Sequence, residues 1–251
     1  MVHETVFMSE GRTIPWVRVP GHDHAAIGYA LDAGASIVLP QINTVAEAQH
    51  CVSAAKYGTK QRGTRSAPPF RLIPGVTAVA LDESKTMHEN LNDQAAIMIQ
   101  IETLEGIDNL DDILTQVPDI DAVWLGTLDL RVSMNMVATG FPGPEKEYVD
   151  AVKKFEDVLR KHDKPRGGLA LGDPEMMMQM GKDNAISFVA ADVMALGGLA
   201  ASLGPVKEMF LAQRKMRGGV DSSEESGAAK AKSEAIAIAN GHAGVVNGGA
   251  K

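Results

Sequence analysis

The sequence predicts an α/β chain built on a parallel sheet with helices packed outside it. Three observations predict this class. Apolar runs of strand length alternate with longer segments of helical spacing along most of the chain. One of the runs, AAIMIQIE, is apolar at nearly every position, as a strand buried on both faces must be. The alternation amounts to about six βα units, and repeated βα units bring their strands parallel. A doubly wound sheet accommodates that number, whereas an eightfold barrel needs two units more.

VFMSEG closes a short first helix, with Gly11 as its stop. TIPWVRV is a strand because Ile14, Trp16, Val17 and Val19 favour pleated, buried surroundings. HDHAAIGYALDAG is a helix stopped by Gly34. ASIVLPQI follows as a strand. TVAEAQHCVSAAKYG is then a helix with Thr44 as N-cap and Glu47 placed for a capping box. A loop rich in Arg, Pro and Gly runs from Gly58 to about Gly75, and residues 76–93 carry helix fragments.

AAIMIQIE is a buried strand, and TLEGIDNLDDILTQV shows helical spacing at Leu104, Ile107, Leu110, Ile113 and Leu114. DAVWLGTLDL is a strand with its turn. GPEKEYVDAVKKFEDVLRKHD is a strongly amphipathic helix with Pro144 near its first turn. PRGGLALG is a strand, DPEMMMQMGKDN a short helix capped by Asp173, and AISFVAADVMALG a further strand. GLAASLGPVKEMFLAQRKM is the closing helix. Met176, Met177, Met178 and Met180 read as core or interface filler. From residue 218 to 251 the chain is rich in Gly, Ala and Ser and has no aromatic residue, which predicts a disordered tail.

A chain of 251 residues, 45% hydrophobic and 22% charged, can bury a core without disulfides or metal staples. A net charge of −8 with no basic cluster argues against nucleic acid and anionic membranes as partners. The single cysteine, Cys51, excludes a disulfide framework and a thiolate metal site. With no membrane-length apolar run and no secretory signal in MVHETVFMSE, the expected location is cytoplasmic.

Single charged residues stand where buried strands end. Glu102 ends AAIMIQIE, Asp129 follows AVWLG, and Arg18 lies near the end of PWVRV. Parallel α/β folds bind ligands at the carboxyl ends of their strands, so the three converge if their strands are neighbours. Two hard oxygen ligands from separate strands suit Mg²⁺ or Mn²⁺. Taken singly, either carboxylate serves as well as a helix N-cap or first-turn residue, Arg18 as an ion-pair partner, and Gln100 as a partner for backbone groups.

His22 and His24 form an HxH that could be a metal pair, although a solvated helix start is preferred, and His50, His88, His162 and His242 read as surface. Arg62, Arg65 and Arg71 could bind an anionic group or simply line a solvated loop. Lys56, Lys60, Lys85, Lys153 and Lys154 all fall on helices or loops, which disfavours a Schiff-base lysine at a strand end.

Several stretches in one order resemble the HpcH/HpaI aldolase family, the metal-dependent class II 2-keto-acid aldolases related to citrate lyase β subunits. They are VRVP at Arg18, ALDAGASIVLPQINTVAEAQ, YGTKQRGTRSA, MIQIETLEGIDNLDDIL and LGTLDLRVSM, and the macrophomate-synthase-like branch is similar too. The resemblance implies a TIM (β/α)8 barrel of the phosphoenolpyruvate/pyruvate type, with residues 1–217 as the aldolase domain. It implies a divalent cation, Mg²⁺ or Mn²⁺ with Co²⁺ also accommodated, held by Glu102 and Asp129 and chelated by pyruvate or its enolate. Gln100 would lie beside the ligand, backbone N–H groups in the Gly126, Thr127, Leu128 and Asp129 turn would hold its carboxylate, and Arg18 would stabilise the enolate oxygen. The implied reaction is reversible aldol cleavage of a 4-hydroxy-2-oxo acid to pyruvate and an aldehyde. Alternatives are a CoA-thioester lyase, an oxaloacetate decarboxylase, or a non-catalytic paralogue pairing with another subunit. The resemblance also implies a homo-oligomer, commonly a hexamer, whose last helix packs on a neighbour.

Two departures from the family pattern stand out. The family has two earlier strands, the second ending in a D-x-E-H-G type turn that serves proton transfer. MVHETVFM resembles the helix after that turn, so His3 does not take the role of that histidine and activity is expected to be impaired. The family often has Gly-Pro before its acidic ligand turn, where Gly126 is here followed by Thr127.

Overall fold

The structure, a computed structural model, describes residues 2–10, 12–58, 60, 62–67, 82–137 and 143–216. Arg71, most of the loop before residue 82, and the tail from residue 218 lie outside the described residues. The chain divides into two compact units, Met1–Val189 and Ala190–Lys251.

The first unit runs α1 (Val2–Met8), β1 (Trp16–Arg18), α2 (His24–Asp32), β2 (Ser36–Leu39), α3 (Val45–Ala55), α4 (Met87–Gln94), β3 (Ile97–Ile101), α5 (Leu104–Gln116), β4 (Ala122–Leu125), α6 (Thr127–Ser133), α7 (Lys146–Lys161), β5 (Arg166–Leu169), α8 (Pro174–Gly181) and β6 (Ile186–Phe188). The six strands form one sheet in chain order, and each neighbouring pair is parallel. Parallel strands in sequential order with intervening helices are the staves of a TIM barrel, and six such staves occur among the described residues. No helix among the described residues is long and apolar enough to cross a membrane.

Side chains alternate between the two faces of the sheet. Ile37 and Leu39 of β2, Ile97, Ile99 and Ile101 of β3, and Val123 and Leu125 of β4 join the main core with helical residues such as Ile27, Val52, Ile107, Leu110 and Phe155. Each such fully buried Ile or Leu contributes roughly 1.5–3 kcal/mol of transfer free energy. On the opposite, inner face, Val38, Met98 and Ala122 form a separate cluster against Trp16, Trp124 and Ile186. The rings of Trp124 and Phe188 stack there, with centroids 4.2 Å apart. Gly167 leaves the room for this packing, since a Cβ on it would come within 3.0 Å of Met98 Sδ.

Helix starts follow the sequence closely. Thr44 and Glu47 form the expected capping box on α3, and Asp173 caps α8. Thr103 caps α5 by accepting the Gly106 N–H at 3.0 Å, and its hydroxyl donates to Asn43. Thr103→Ala is expected to cost about 1 kcal/mol, seen as a lower urea midpoint at unchanged slope.

Two segments differ from the sequence reading. The stretch after β4 is not merely a turn: Thr127–Ser133 is a helix that begins directly at Gly126. The strand expected over AISFVAADVMALG ends at Phe188, and helix α9 (Asp192–Met216) takes over from Asp192. Val193, Met194 and Leu196 are exposed, so this apolar run lacks the two-sided burial that would favour a strand. The methionines of α8 supply no core filler either, because that helix has no fully buried residue.

Helix α6 is pinned from outside the sheet. The buried guanidinium of Arg131 donates to both Glu145 oxygens, at 2.7 and 3.0 Å, and to Val137 O at 2.7 Å, and it lies over the Tyr148 ring. This fork holds the Glu145 carboxyl down at about 2. The pair therefore stabilises the fold above the ordinary glutamate range, and that contribution is lost as pH falls towards 2.

Candidate active site

Strand pairing places the carboxyl ends of β1, β2, β3 and β4 side by side. The alternation that puts Met98 on the inner face also puts Gln100 there, and Glu102 follows just past the end of β3. On β1 the same period carries Trp16 and Arg18 to the inner face, and on β4 it carries Trp124 there and leads to Gly126.

Glu102 is 2% exposed, and its Oε2 accepts the backbone N–H of Gln41 at 2.8 Å. Gly126 lies against it. A Cβ on Gly126 would stand 2.5 Å from Glu102 Cγ and 2.6 Å from Oε1, so a hydrogen is all that fits there. Burial pushes the Glu102 carboxyl above the ordinary glutamate range, and the charge of Asp129 and a hydrogen bond with its carboxyl add to the push. The Gln41 N–H and the Arg18 charge pull the other way. The two carboxylates and the guanidinium singled out in the sequence thus meet at one mouth.

Asp129 is exposed and belongs to the first turn of α6, whose start at Gly126 has no side-chain cap. Thr127 and Leu128 share that turn. Gln100 is buried below Glu102, and its Oε1 accepts no hydrogen bond. Two carboxylates drawn together against their own repulsion, beside an orphaned amide oxygen, suit a divalent cation. No cluster of three or more His, Cys, Asp or Glu able to hold a metal occurs among the described residues. A cation here would therefore keep open positions for water and substrate oxygens.

Gln41 carries no signal of its own at the level of sequence. It has a left-handed backbone, with φ 51°, and it lies one residue past Pro40 at the end of β2. Such a conformation costs a residue with a Cβ about 1–3 kcal/mol and persists where neighbours impose it. Other candidates fall away. His22 and His24 do not form a metal pair, because their Nε2 atoms face Pro40 O at 2.7 Å and Thr64 O at 3.0 Å. Arg65 is an internal residue, paired with Asp32 at 2.7 Å and stacked on Tyr57, so it offers no surface charge to an anion. Lys56 is buried and its pKa is lowered by desolvation, but its Nζ donates to Asn92 O and Ala95 O at the opposite end of β3 from Glu102. The Cys51 thiol is pushed up to about 12 by burial and by Glu47, which leaves it inert.

Known proteins share this arrangement of sequence and fold. A hydroxypyruvate/pyruvate aldolase of Roseovarius nubinhibens is 32% identical over 168 residues, covering 63% of this chain and 58% of that protein. A 4-hydroxy-2-oxovalerate aldolase of Novosphingobium aromaticivorans is 31% identical over 179 residues, covering 69% of this chain and 62% of that protein. The chain thus spans less than two thirds of the length of either relative. The crystal structure of macrophomate synthase superposes with a TM-score of 0.69 at 28% identity, over 86% of this chain and 73% of that one. The sequence pattern of the HpcH/HpaI aldolase/citrate lyase family matches residues 1–186, and the chain belongs to that family.

Proposed function

We propose that this chain binds a divalent cation and a 2-oxo acid and breaks a carbon–carbon bond beside the keto group. The reaction is reversible aldol cleavage of a 4-hydroxy-2-oxo acid to pyruvate and an aldehyde. The observation that carries this reading is Glu102 brought together with Asp129 at the carboxyl ends of the adjacent strands β3 and β4, within the field of Arg18 at the end of β1. Glu102 and Asp129 would hold the cation, which when bound supplies Lewis-acid stabilisation of negative charge on the oxo acid.

As the C3–C4 bond breaks, the C4 hydroxyl loses its proton and becomes the aldehyde carbonyl. The electron pair passes to C3 and on to the C2 oxygen, and C3 then takes up a proton to become the methyl group of pyruvate. Arg18 faces the growing charge on the C2 oxygen, an electrostatic effect typically worth several kcal/mol in a preorganised site. The N–H groups of Leu128 and Asp129, in the turn begun by Gly126 and Thr127, hold the substrate carboxylate, and Gln100 lies beside it. The C4 proton needs an acceptor, and five histidines whose side chains are described are engaged elsewhere, His88 against the Tyr57 ring. His22, His24, His50 and His162 direct Nε2 to Pro40, Thr64, His22 and Asp111. Aldol cleavage by this chain is therefore expected to be slow, by about 10²–10⁴ relative to a site with a placed base. The same engagement favours decarboxylation of oxaloacetate, which needs the charge stabilisation but has no hydroxyl to deprotonate.

Pyruvate release, coupled to lactate dehydrogenase and NADH in the presence of Mn²⁺, tests the reading. Slow release from 4-hydroxy-2-oxo acids and faster release from oxaloacetate are expected, with a fall of about 100-fold in Arg18→Ala. Silence from folded, Mn²⁺-loaded protein with both substrates would overturn it.

Self-association belongs to the same proposal. On α9, Leu196, Leu199, Leu203, Val206 and Phe210 recur at three- and four-residue spacing, and all are exposed. A stripe of that spacing on a helix with no buried residue calls for a partner, and a second copy supplies one. Sedimentation velocity is expected to show an oligomer that Leu203→Glu converts to smaller species, and a monomeric parent chain would refute the assignment.

A further inference from the structure

We propose that His22 is a positioning residue for Glu102, acting through the single peptide group that joins Pro40 to Gln41. The proposal rests on Glu102 as a cation ligand. His22 Nε2 lies 2.7 Å from Pro40 O. A carbonyl oxygen only accepts, so Nε2 carries the hydrogen. The N–H of that same peptide, on Gln41, donates to Glu102 Oε2 at 2.8 Å. One amide is therefore gripped at both ends, and a donor at its carbonyl together with an acceptor at its N–H polarises it in one sense, so that each bond strengthens the other.

This peptide needs gripping. Gln41 takes the left-handed backbone, φ 51°, without being glycine. On its far side the chain is fixed again, with Ile42 N–H donating to Gln100 O at 3.1 Å. Between the end of β2 and that bond, the Pro40–Gln41 amide is the part free to rotate, and rotation would carry its N–H away from Glu102. The His22 backbone is itself anchored. His22 O accepts from His50 Nε2 at 2.8 Å, and the next residue, Asp23, caps α2 by accepting the Ala26 N–H at 2.8 Å. The loop after β1 is thereby locked onto the end of β2, and the consequence is felt at a carboxylate on β3. With Oε2 held by Gln41 and Oε1 against Gly126, Glu102 has one orientation to offer a cation. Groups that hydrogen-bond a metal ligand directly, as the Gln41 N–H does, typically change affinity by 10–100-fold when removed, and His22 acts through that bond.

Mn²⁺ alone, titrated into the full chain and followed by electron paramagnetic resonance of the free ion, tests this. His22→Leu removes the donor, whereas His22→Gln restores an N–H at about the distance of Nε2. Affinity is expected to fall 10–100-fold in His22→Leu and to return to within about threefold of the parent in His22→Gln. Hydrogen exchange at the Gln41 amide is expected to accelerate in His22→Leu and not in His22→Gln. If His22→Leu does not fold, His22→Asn, whose shorter amide does not reach Pro40 O, takes its place. Equal affinity in the parent and the donorless variant overturns the proposal, as does equal loss in both variants, which would assign the effect to packing of the ring. A parent chain that binds no Mn²⁺ overturns the cation-ligand role of Glu102 instead. The Gln41 exchange rates then decide the relay separately, and unchanged exchange in the donorless variant overturns it.

Discussion

Glu102→Gln is expected to abolish divalent-cation binding and, in the same protein, to raise the thermal midpoint of the metal-free fold at neutral pH. Both effects have one cause. Burial and the neighbouring Asp129 hold the Glu102 carboxyl above its ordinary range, so the folded chain favours its protonated form more than the unfolded chain does. The stability linked to this group is therefore greatest at low pH and declines as pH rises through the raised folded pKa. At neutral pH ionising this carboxyl costs more in the folded chain than in the unfolded one, and the isosteric amide removes that opposition. A gain on the order of 1 kcal/mol, about 2–4 °C for a chain of this size, is expected from relieving a charge kept for function. Calorimetric scans of both proteins across pH, without metal and with Mn²⁺, measure it. The parent should gain a large Mn²⁺-dependent rise in midpoint and the variant none. A variant less stable than the metal-free parent at neutral pH would show that Asp129 and Glu102 are not in conflict.

Gly126→Ala is expected to be as damaging to binding as loss of the ligand itself, although it adds a single methyl group. That methyl would stand 2.5 Å from Glu102 Cγ, part of the side chain's stem and not its mobile end. Glu102 cannot keep the Gln41 hydrogen bond and also vacate that space. Mn²⁺ affinity should fall at least 100-fold, and overpacking should cost about 1–3 kcal/mol of stability. The double mutant makes the test specific. In a Glu102→Ala background the methyl finds room, so Gly126→Ala should then be close to neutral, a coupling that independent sites do not show. Additive losses in the double mutant would mean that the glycine answers to the backbone of α6 and not to Glu102.

The sheet was legible wherever burial was two-sided. In AAIMIQIE the isoleucines face the helices and Met98 and Gln100 face inward, so a continuous apolar run with one polar interruption marks both the strand and the position that serves the site. Glu102, Asp129 and Arg18 could be found because single charges end otherwise apolar runs, and the family motifs assigned them to one mouth. Gln41 could not, because it contributes a backbone N–H that any residue possesses and its left-handed φ leaves no compositional mark. His22 looked like half of an HxH pair for the same reason, since a histidine facing a carbonyl and a histidine awaiting a metal are spelled alike. The start of α9 was misread because an apolar run without a breaker suits a strand and a helix equally, and the partner that decides between them is not encoded in the run itself.

The aromatic inner face has a practical use. The chain has two tryptophans, and both line that face: Trp16 lies two residues before Arg18, and Trp124 two residues before Gly126. Tryptophan emission from the intact protein therefore reports on the inner face of the sheet, with Phe188 lying flat against one of the emitters. No dye or label is required to follow the packing of that face.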